Sequence, residues 1–173
     1  METPNEGLPP TPRGCLRECW SALKKLSYGV YVVSARCERA NEVAVNAMTV
    51  RMVSQVSVRP PRVALTISQS RLTHGLIVES GLFAVSVLAV GQELLGGHFG
   101  LQSGRDRDKF IAVEYFVGEQ TGAPILCECS AWFECRVAAV HDMDGCSLII
   151  GEVLSGGTHK AVPLHYKESD YFG

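Results

Sequence analysis

Apolar residues follow two different periods along this chain, and the change of period falls at Gly29. Before it, Leu16, Trp20, Leu23 and Leu26 recur at helical spacing, Lys24 and Lys25 sit near the C-terminal end, and Gly29 is placed to stop a helix. After it the pattern turns strand-like: GVYVVSA, then the long EVAVNAMTVRMVSQVSV, then RVALTIS beyond the Pro60-Pro61 break. In the long run the even positions Ala44, Met48, Val50, Met52, Val56 and Val58 are apolar, whereas Thr49, Arg51, Gln55 and Ser57 share the odd face. One face is therefore expected in the core, and the other is polar enough to meet a ligand.

THGLIVESG predicts a short helix, with Thr73 as N-cap and Gly81 past its end. LFAVSVL reads as a strand, QELLGGHF as a second short helix leading into the charged run SGRDRDKF, and TGAPI as a turn. Along LCECSAWFECRVAAV the positions Cys127, Cys129, Ala131, Phe133, Cys135, Val137 and Ala139 alternate with polar ones, which predicts the longest strand. Asp144-Gly145 makes a hairpin turn to its partner CSLIIGEV. Many strands with few helices and no βαβ rhythm predict a mainly β fold, a barrel-like antiparallel sheet with a few short helices. Residues 1–14 carry four prolines and little apolar content, and read as a disordered or polyproline-like lead-in to one domain over 15–173.

Composition narrows the function classes. A chain of 173 residues, 46% hydrophobic, can bury one real core. A net charge of -2 argues against nucleic acid or an anionic membrane as partner, since both require a broad basic surface. The chain shows neither a membrane-length apolar run nor a signal-peptide pattern, and its seven cysteines fall at irregular spacing. The expectation is a cytoplasmic protein with free thiols.

Cys127, Cys129 and Cys135 share a face with Ala131, Phe133 and Val137, so they read as small buried hydrophobes rather than metal ligands. Neither a nucleophile elbow, a Rossmann fingerprint nor a Walker loop is present. Anion chemistry has two candidates. In ISQSRLTHGLI, Ser68, Ser70 and Thr73 offer hydroxyls, Arg71 offers a charged fork, and the helix start offers free amides; the same residues also suit an ordinary helix start with an exposed arginine. The run Ser103 to Phe110 suits either a solvated loop or an anion site.

Taken in order, LSYGVYVVSA, the stretch from NAMTV to VSVL, FGLQSGRDRDKF followed by TGAPI, and the closing GEV and PLHY resemble the flavin reductase-like, FMN-binding split-barrel family. The similarity is greatest to flavoredoxins and to the flavoprotein module of high-molecular-weight rubredoxins, from about Leu26 to the C-terminus. It implies a Greek-key antiparallel barrel, a homodimer, and FMN as cofactor. Asn46, Met48, Thr49 and Val50 would run beside the isoalloxazine ring, with Gln55, Val56 and Ser57 continuing that wall. The phosphate loop would fall on Ser68, Ser70, Arg71 and Thr73, with His74 beside it, and Lys109 of the KF pair would reach the phosphate. Arg105 and Arg107 stay outside that shell, because Asp106 and Asp108 can neutralise them. Tyr171 and Phe172 are expected in a frayed tail rather than over the flavin.

The chain departs from the family pattern twice: Met52 stands where many members carry tryptophan, and the turn Gly145-Cys146-Ser147 puts Ser147 where many carry a histidine thought to position nicotinamide. The resemblance implies electron flow from NADH or NADPH through FMN to free flavin or to a partner redox protein. A rubredoxin-like partner would be a separate protein. An electron carrier of flavoredoxin type, reduced by a protein donor, and a flavin- or haem-binding sensor are the alternatives. Hydride delivery to a flavin needs no protein acid or base, which agrees with the missing catalytic triad.

Overall fold

The computed structural model describes residues 16–40 and 42–171, so the lead-in and Phe172 lie outside the described residues. In chain order the elements are α1 (Leu16–Leu23), β1 (Tyr31–Arg39), β2 (Glu42–Val50), β3 (Val53–Val58), β4 (Pro61–Ser68), α2 (Leu72–Ser80), β5 (Leu82–Val87), α3 (Glu93–Leu101), β6 (Tyr115–Val117), β7 (Pro124–Leu126), β8 (Ala131–Asp142) and β9 (Cys146–Thr158), followed by a 3-10 turn over Glu168–Asp170.

Strands β1 to β5, β8 and β9 form one seven-stranded antiparallel sheet ordered β2-β1-β5-β8-β9-β4-β3. Its two edge strands, β2 and β3, are consecutive in the chain and separated only by Arg51 and Met52. A flat sheet of that size would hold its edges about 29 Å apart at ~4.8 Å per strand, far beyond the reach of two residues. The sheet must therefore curl until its edges meet. They meet without pairing to each other, so the barrel is split along the seam between β2 and β3.

That seam corrects the sequence reading. The single strand expected from Glu42 to Val58 is two strands on opposite edges, and the even-face rule fails beyond the break. Asn46, Ala47 and Val50 are buried, but Met52, Val56 and Val58 are exposed at 42%, 53% and 72%. A bulge between Gln55 and Ser57 shifts the phase further.

Val33, Ala35, Leu65, Ile67, Phe83, Val85, Cys135 and Ile149 fill the barrel, closed at one end by Leu76 and Ile77 of α2. The opposite face of β1 is buried as well, because Val30 and Val32 pack with Leu88, Phe99 of α3, Leu126 and Leu164. Double-sided burial explains why GVYVVSA reads as an almost continuous apolar run. Leu23 and Leu26, by contrast, stay more than half exposed.

Two further expectations change. Thr73 is not the N-cap of α2: Arg71 holds that place in extended backbone without a side-chain cap, and Thr73 turns inward from the first turn. Gly81 does end the helix, in the left-handed region at φ 70°. The long strand expected over Leu126 to Val140 is interrupted after β7, where Glu128 takes φ 58°, and resumes as β8. The Asp144-Gly145 turn is as expected, with φ of 54° and 92° matching a type I′ hairpin.

Candidate functional site

The seam opens onto a cleft of about 540 Å³, within the range of small-molecule sites. Met48, Thr49, Arg51 and Met52 form one wall, Thr66, Ser68 and Arg71 the other, and α3 supplies Gly96, Gly100 and Leu101. Cys146, Tyr166 and Tyr171 complete the outer part. A smaller cavity of about 110 Å³ shares Met48, Thr49, Arg71 and Gly100 with the cleft, and continues to Asn46, Thr73, Gly104, Arg105 and Lys109. The cleft is thus an open slot of largely apolar wall with a polar, cationic inner end.

Lys109 decides the character of that end. Its ammonium is buried, with 3% of the residue exposed, and donates to the carbonyls of Ala47 at 2.9 Å and Phe99 at 3.0 Å. Phe99 lies in the last turn of α3, whose carbonyls lack intrahelical partners, so Lys109 also caps the negative end of that helix. His98 donates to the Lys109 carbonyl at 2.7 Å and closes a reciprocal clamp. An ammonium has three donors, and only two are used. Burial, together with the nearby Arg71 guanidinium, lowers the Lys109 ammonium from its ordinary 10.5 to about 8. Among the described residues no carboxylate pairs with it. A buried cation beside a second cation, with one donor unfilled, has the chemistry to hold an anion.

The scaffold around it is close-fitted. Asn46 donates through Nδ2 to the Thr73 hydroxyl at 2.9 Å, which ties β2 to the first turn of α2. A Cβ at Gly104 would collide with the Asn46 amide, and one at Gly100 would press on Thr49. Both glycines therefore let backbone come close to the cavity. Arg105 donates to the Ser70 carbonyl at 3.1 Å and draws the charged loop over the start of α2. The slot is suited to a flat ring and the inner cations to a phosphate, so the residues present suit a phosphate-bearing flavin.

The fold brings Asn46, Met48, Thr49, Val50, Ser68, Arg71, Thr73 and Lys109 together around the two connected cavities. It does not bring Gln55, Val56 or Ser57 there, since they lie on the edge strand beyond the seam and line none of the described cavities. Ser70 is turned out and shares a 3.0 Å hydrogen bond with Ser68. His74 points away from the cleft, sharing a 2.9 Å hydrogen bond with Ser147 Oγ, and burial holds its imidazole below the usual range.

That bond also revises the reading of the hairpin turn. Side chains alternate along β9, so Ser147 faces inward at 2% exposure while Cys146 lines the cleft. Gln69 fastens the same turn through Asp142 at 3.0 Å and through its own amide to the Gly145 carbonyl. Cys146, Tyr166 and the α3 glycines were missed, and Arg105, left outside the shell, lines the inner cavity. Three glycines within GGHFG, costly inside a helix, were the available signal for a close approach. Tyr171 is docked on Tyr166, their rings stacked at 5.5 Å and 6°, rather than frayed.

A flavin reductase like domain model matches residues 23–173. Among curated proteins, the NADH-dependent flavin reductase StyB of Pseudomonas fluorescens is 32% identical over 162 residues, 92% of this chain and 88% of that one. The high molecular weight rubredoxin of Moorella thermoacetica is 36% identical over 135 residues, and although that is 76% of this chain it spans only 56% of the relative. Of solved structures, the NADH:FAD oxidoreductase of Streptomyces globisporus superposes with a TM-score of 0.79 at 25% identity over 95% of both chains. With a family model matching nearly its whole length and the split barrel and cleft in place, the chain belongs to the flavin reductase like family.

Proposed function

We propose that this protein is a nicotinamide-dependent flavin reductase that takes FMN with its phosphate toward Lys109 and Arg71. The observation that carries the placement of the phosphate is the under-satisfied buried ammonium of Lys109 at the inner end of an open cleft. Relatives named for FAD and for FMN are both similar to this chain, and the two flavins share the phosphate next to the ribityl chain, so the choice of FMN rests on the family resemblance.

Bound flavin supplies a hydride-accepting ring, and the protein's own residues supply position and electrostatics. Lys109 and Arg71 neutralise the phosphate, the α2 first-turn amides lie beside them, and Thr49 stands along the slot with its hydroxyl held by the Gly96 carbonyl at 2.6 Å. Met48, Met52 and Ile67 give the slot soft apolar walls that exclude water from a flat ring. No protein side chain is assigned a proton transfer.

A homodimer is supported by the exposed Val43 and Val45 on edge strand β2, which share a groove with Tyr115 and Val117. A cytoplasmic setting is supported by the free thiols. A rubredoxin-like redox acceptor is supported by the Moorella relative.

Anaerobic titration of FMN-loaded protein with NADH and then NADPH, following visible absorbance, tests the reading. Bleaching by either is expected and also identifies the donor. Protein that stays yellow until dithionite is added would replace the reductase with a carrier fed by a protein donor.

A further inference from the structure

Arg51 is a charged residue of the cleft wall to which the flavin reading gives no role. It lies in the two-residue link across the barrel seam, exposed, at the mouth. Its guanidinium sits 5.2 Å from the centroids of both Tyr28 and Tyr166. The amide of Tyr166 donates to the carbonyl of Tyr28 at 2.8 Å, so the two rings are fastened to each other through the backbone, and Tyr171 stacks on Tyr166 in turn. Both rings therefore hold the guanidinium in place before any ligand arrives.

Its N–H groups have no partner among the described residues. Arg51 forms neither an ion pair nor a side-chain hydrogen bond with any described residue, whereas Arg36, Arg39 and Arg136 all pair with glutamates. A planar fork, immobilised on its faces and unfilled along its edge, is the donor geometry that phosphate oxygens accept in pairs. The inner end of the cleft already has its own cations, so Arg51 is a second anion position at the mouth. A ligand that lays one ring in the slot and keeps a charged linker outside would present that linker here.

We propose that Arg51 anchors the diphosphate of an adenine dinucleotide at the mouth of the cleft. The inference builds on the flavin reductase reading, under which the dinucleotide is the nicotinamide donor; the same diphosphate occurs in FAD.

The test is calorimetric titration of the FMN-loaded protein with ADP, compared among wild type, Arg51→Ala and Arg51→Lys, with adenosine as the phosphate-free probe. ADP affinity is expected to fall at least about tenfold in Arg51→Ala and to be restored only in part by Arg51→Lys, which keeps the charge and loses the fork. Adenosine binding should stay equally weak in all three proteins. In steady-state assays the Arg51→Ala loss should appear in KM for NADH, and reduced nicotinamide mononucleotide should be far less affected. A tenfold loss confined to FAD, with KM for NADH unchanged, would assign the diphosphate to the flavin. ADP that binds wild type and Arg51→Ala alike, or not at all, overturns the proposal, as does an equal loss for adenosine. ADP bound through Arg51 by a protein that NADH cannot reduce would sink the reductase reading and leave the anchor standing. Thermal unfolding midpoints confirm that the variants are folded.

Discussion

Two charged side chains are buried among the described residues, Glu134 at 1% exposure and Lys109 at 3%, and they are treated oppositely. Glu134 Oε1 accepts from the Gln120 amide at 3.0 Å, the Thr121 amide at 2.9 Å and the Thr121 hydroxyl at 2.7 Å, while Oε2 accepts from Ser155 at 2.7 Å. Burial works to raise that carboxyl, yet the hydrogen bonds from Ser155, Thr121 and Gln120 outweigh it and leave it below the ordinary carboxylate range. Lys109 has two carbonyls, a neighbouring cation and a lowered ammonium. A buried charge with every site filled serves the fold, here by fastening the 118–122 loop to β8 and β9. One left short of partners beside a cavity has a donor to offer a ligand, which is the role proposed for Lys109.

The largest expected effect tests the structural side of that contrast. Glu134→Ala strips an acceptor from two amides and two hydroxyls and should lower the unfolding free energy by about 3 kcal/mol or more in urea denaturation. The ratio of FMN to riboflavin affinity should not move. Because the folded-state value lies below the unfolded one near 4.5, the Glu134 contribution is fully present above that pH and disappears as pH falls through the folded value. A change in flavin preference on losing Glu134 would erase the distinction between the two charges.

Lys109→Ala comes next, and should weaken FMN binding by about 1.5 to 3 kcal/mol while affecting riboflavin far less. Equal losses for the two ligands would make Lys109 a helix cap like any other. The same residue carries a pH signature. An ammonium near 8 binds an anion only while protonated, so the preference for FMN over riboflavin should decline as pH rises through about 8, approaching tenfold per pH unit. Stability of the unliganded protein should move the other way. The unfolded chain holds the Lys109 proton more tightly, so stability rises with pH between about 8 and 10.5. A fluorescence titration series and a matched set of urea curves would show whether the two slopes have opposite sign.

His74→Ala should have the smallest effect, about 1 kcal/mol of stability from the lost bond to Ser147, with FMN affinity intact. A selective loss of FMN over riboflavin would return His74 to the phosphate site and narrow the contrast between the inner pocket and its supports.

Local chemistry was legible where neighbours in sequence act together. Gly81 and Asp144-Gly145 were readable because positive φ is a property of a few residues in a row. The pair Ser68 and Arg71 was readable because a helix start concentrates donors. Gln55 to Ser57 lie apart from the two cavities because Arg51 and Met52, outside the strand ladders, carry the chain from one edge of the sheet to the other, an event with no local signature. That Cys146 rather than Ser147 lines the cleft was not readable, because adjacent residues of a strand face opposite sides and only the fold sets which side meets the cleft.

By itself the sequence determined the mainly β character, the principal turns, and the residue types from which an anion site could be made, since period, turn chemistry and charge are local properties. Only the tertiary structure decided which of those residues meet. Curling the sheet joined Asn46 to Thr73, brought the Ala47 and Phe99 carbonyls to Lys109, and set Arg51 between Tyr28 and Tyr166. Those partners lie from 10 to 115 residues apart in the chain, and contacts at such separations follow from closure of the barrel, not from any stretch of it.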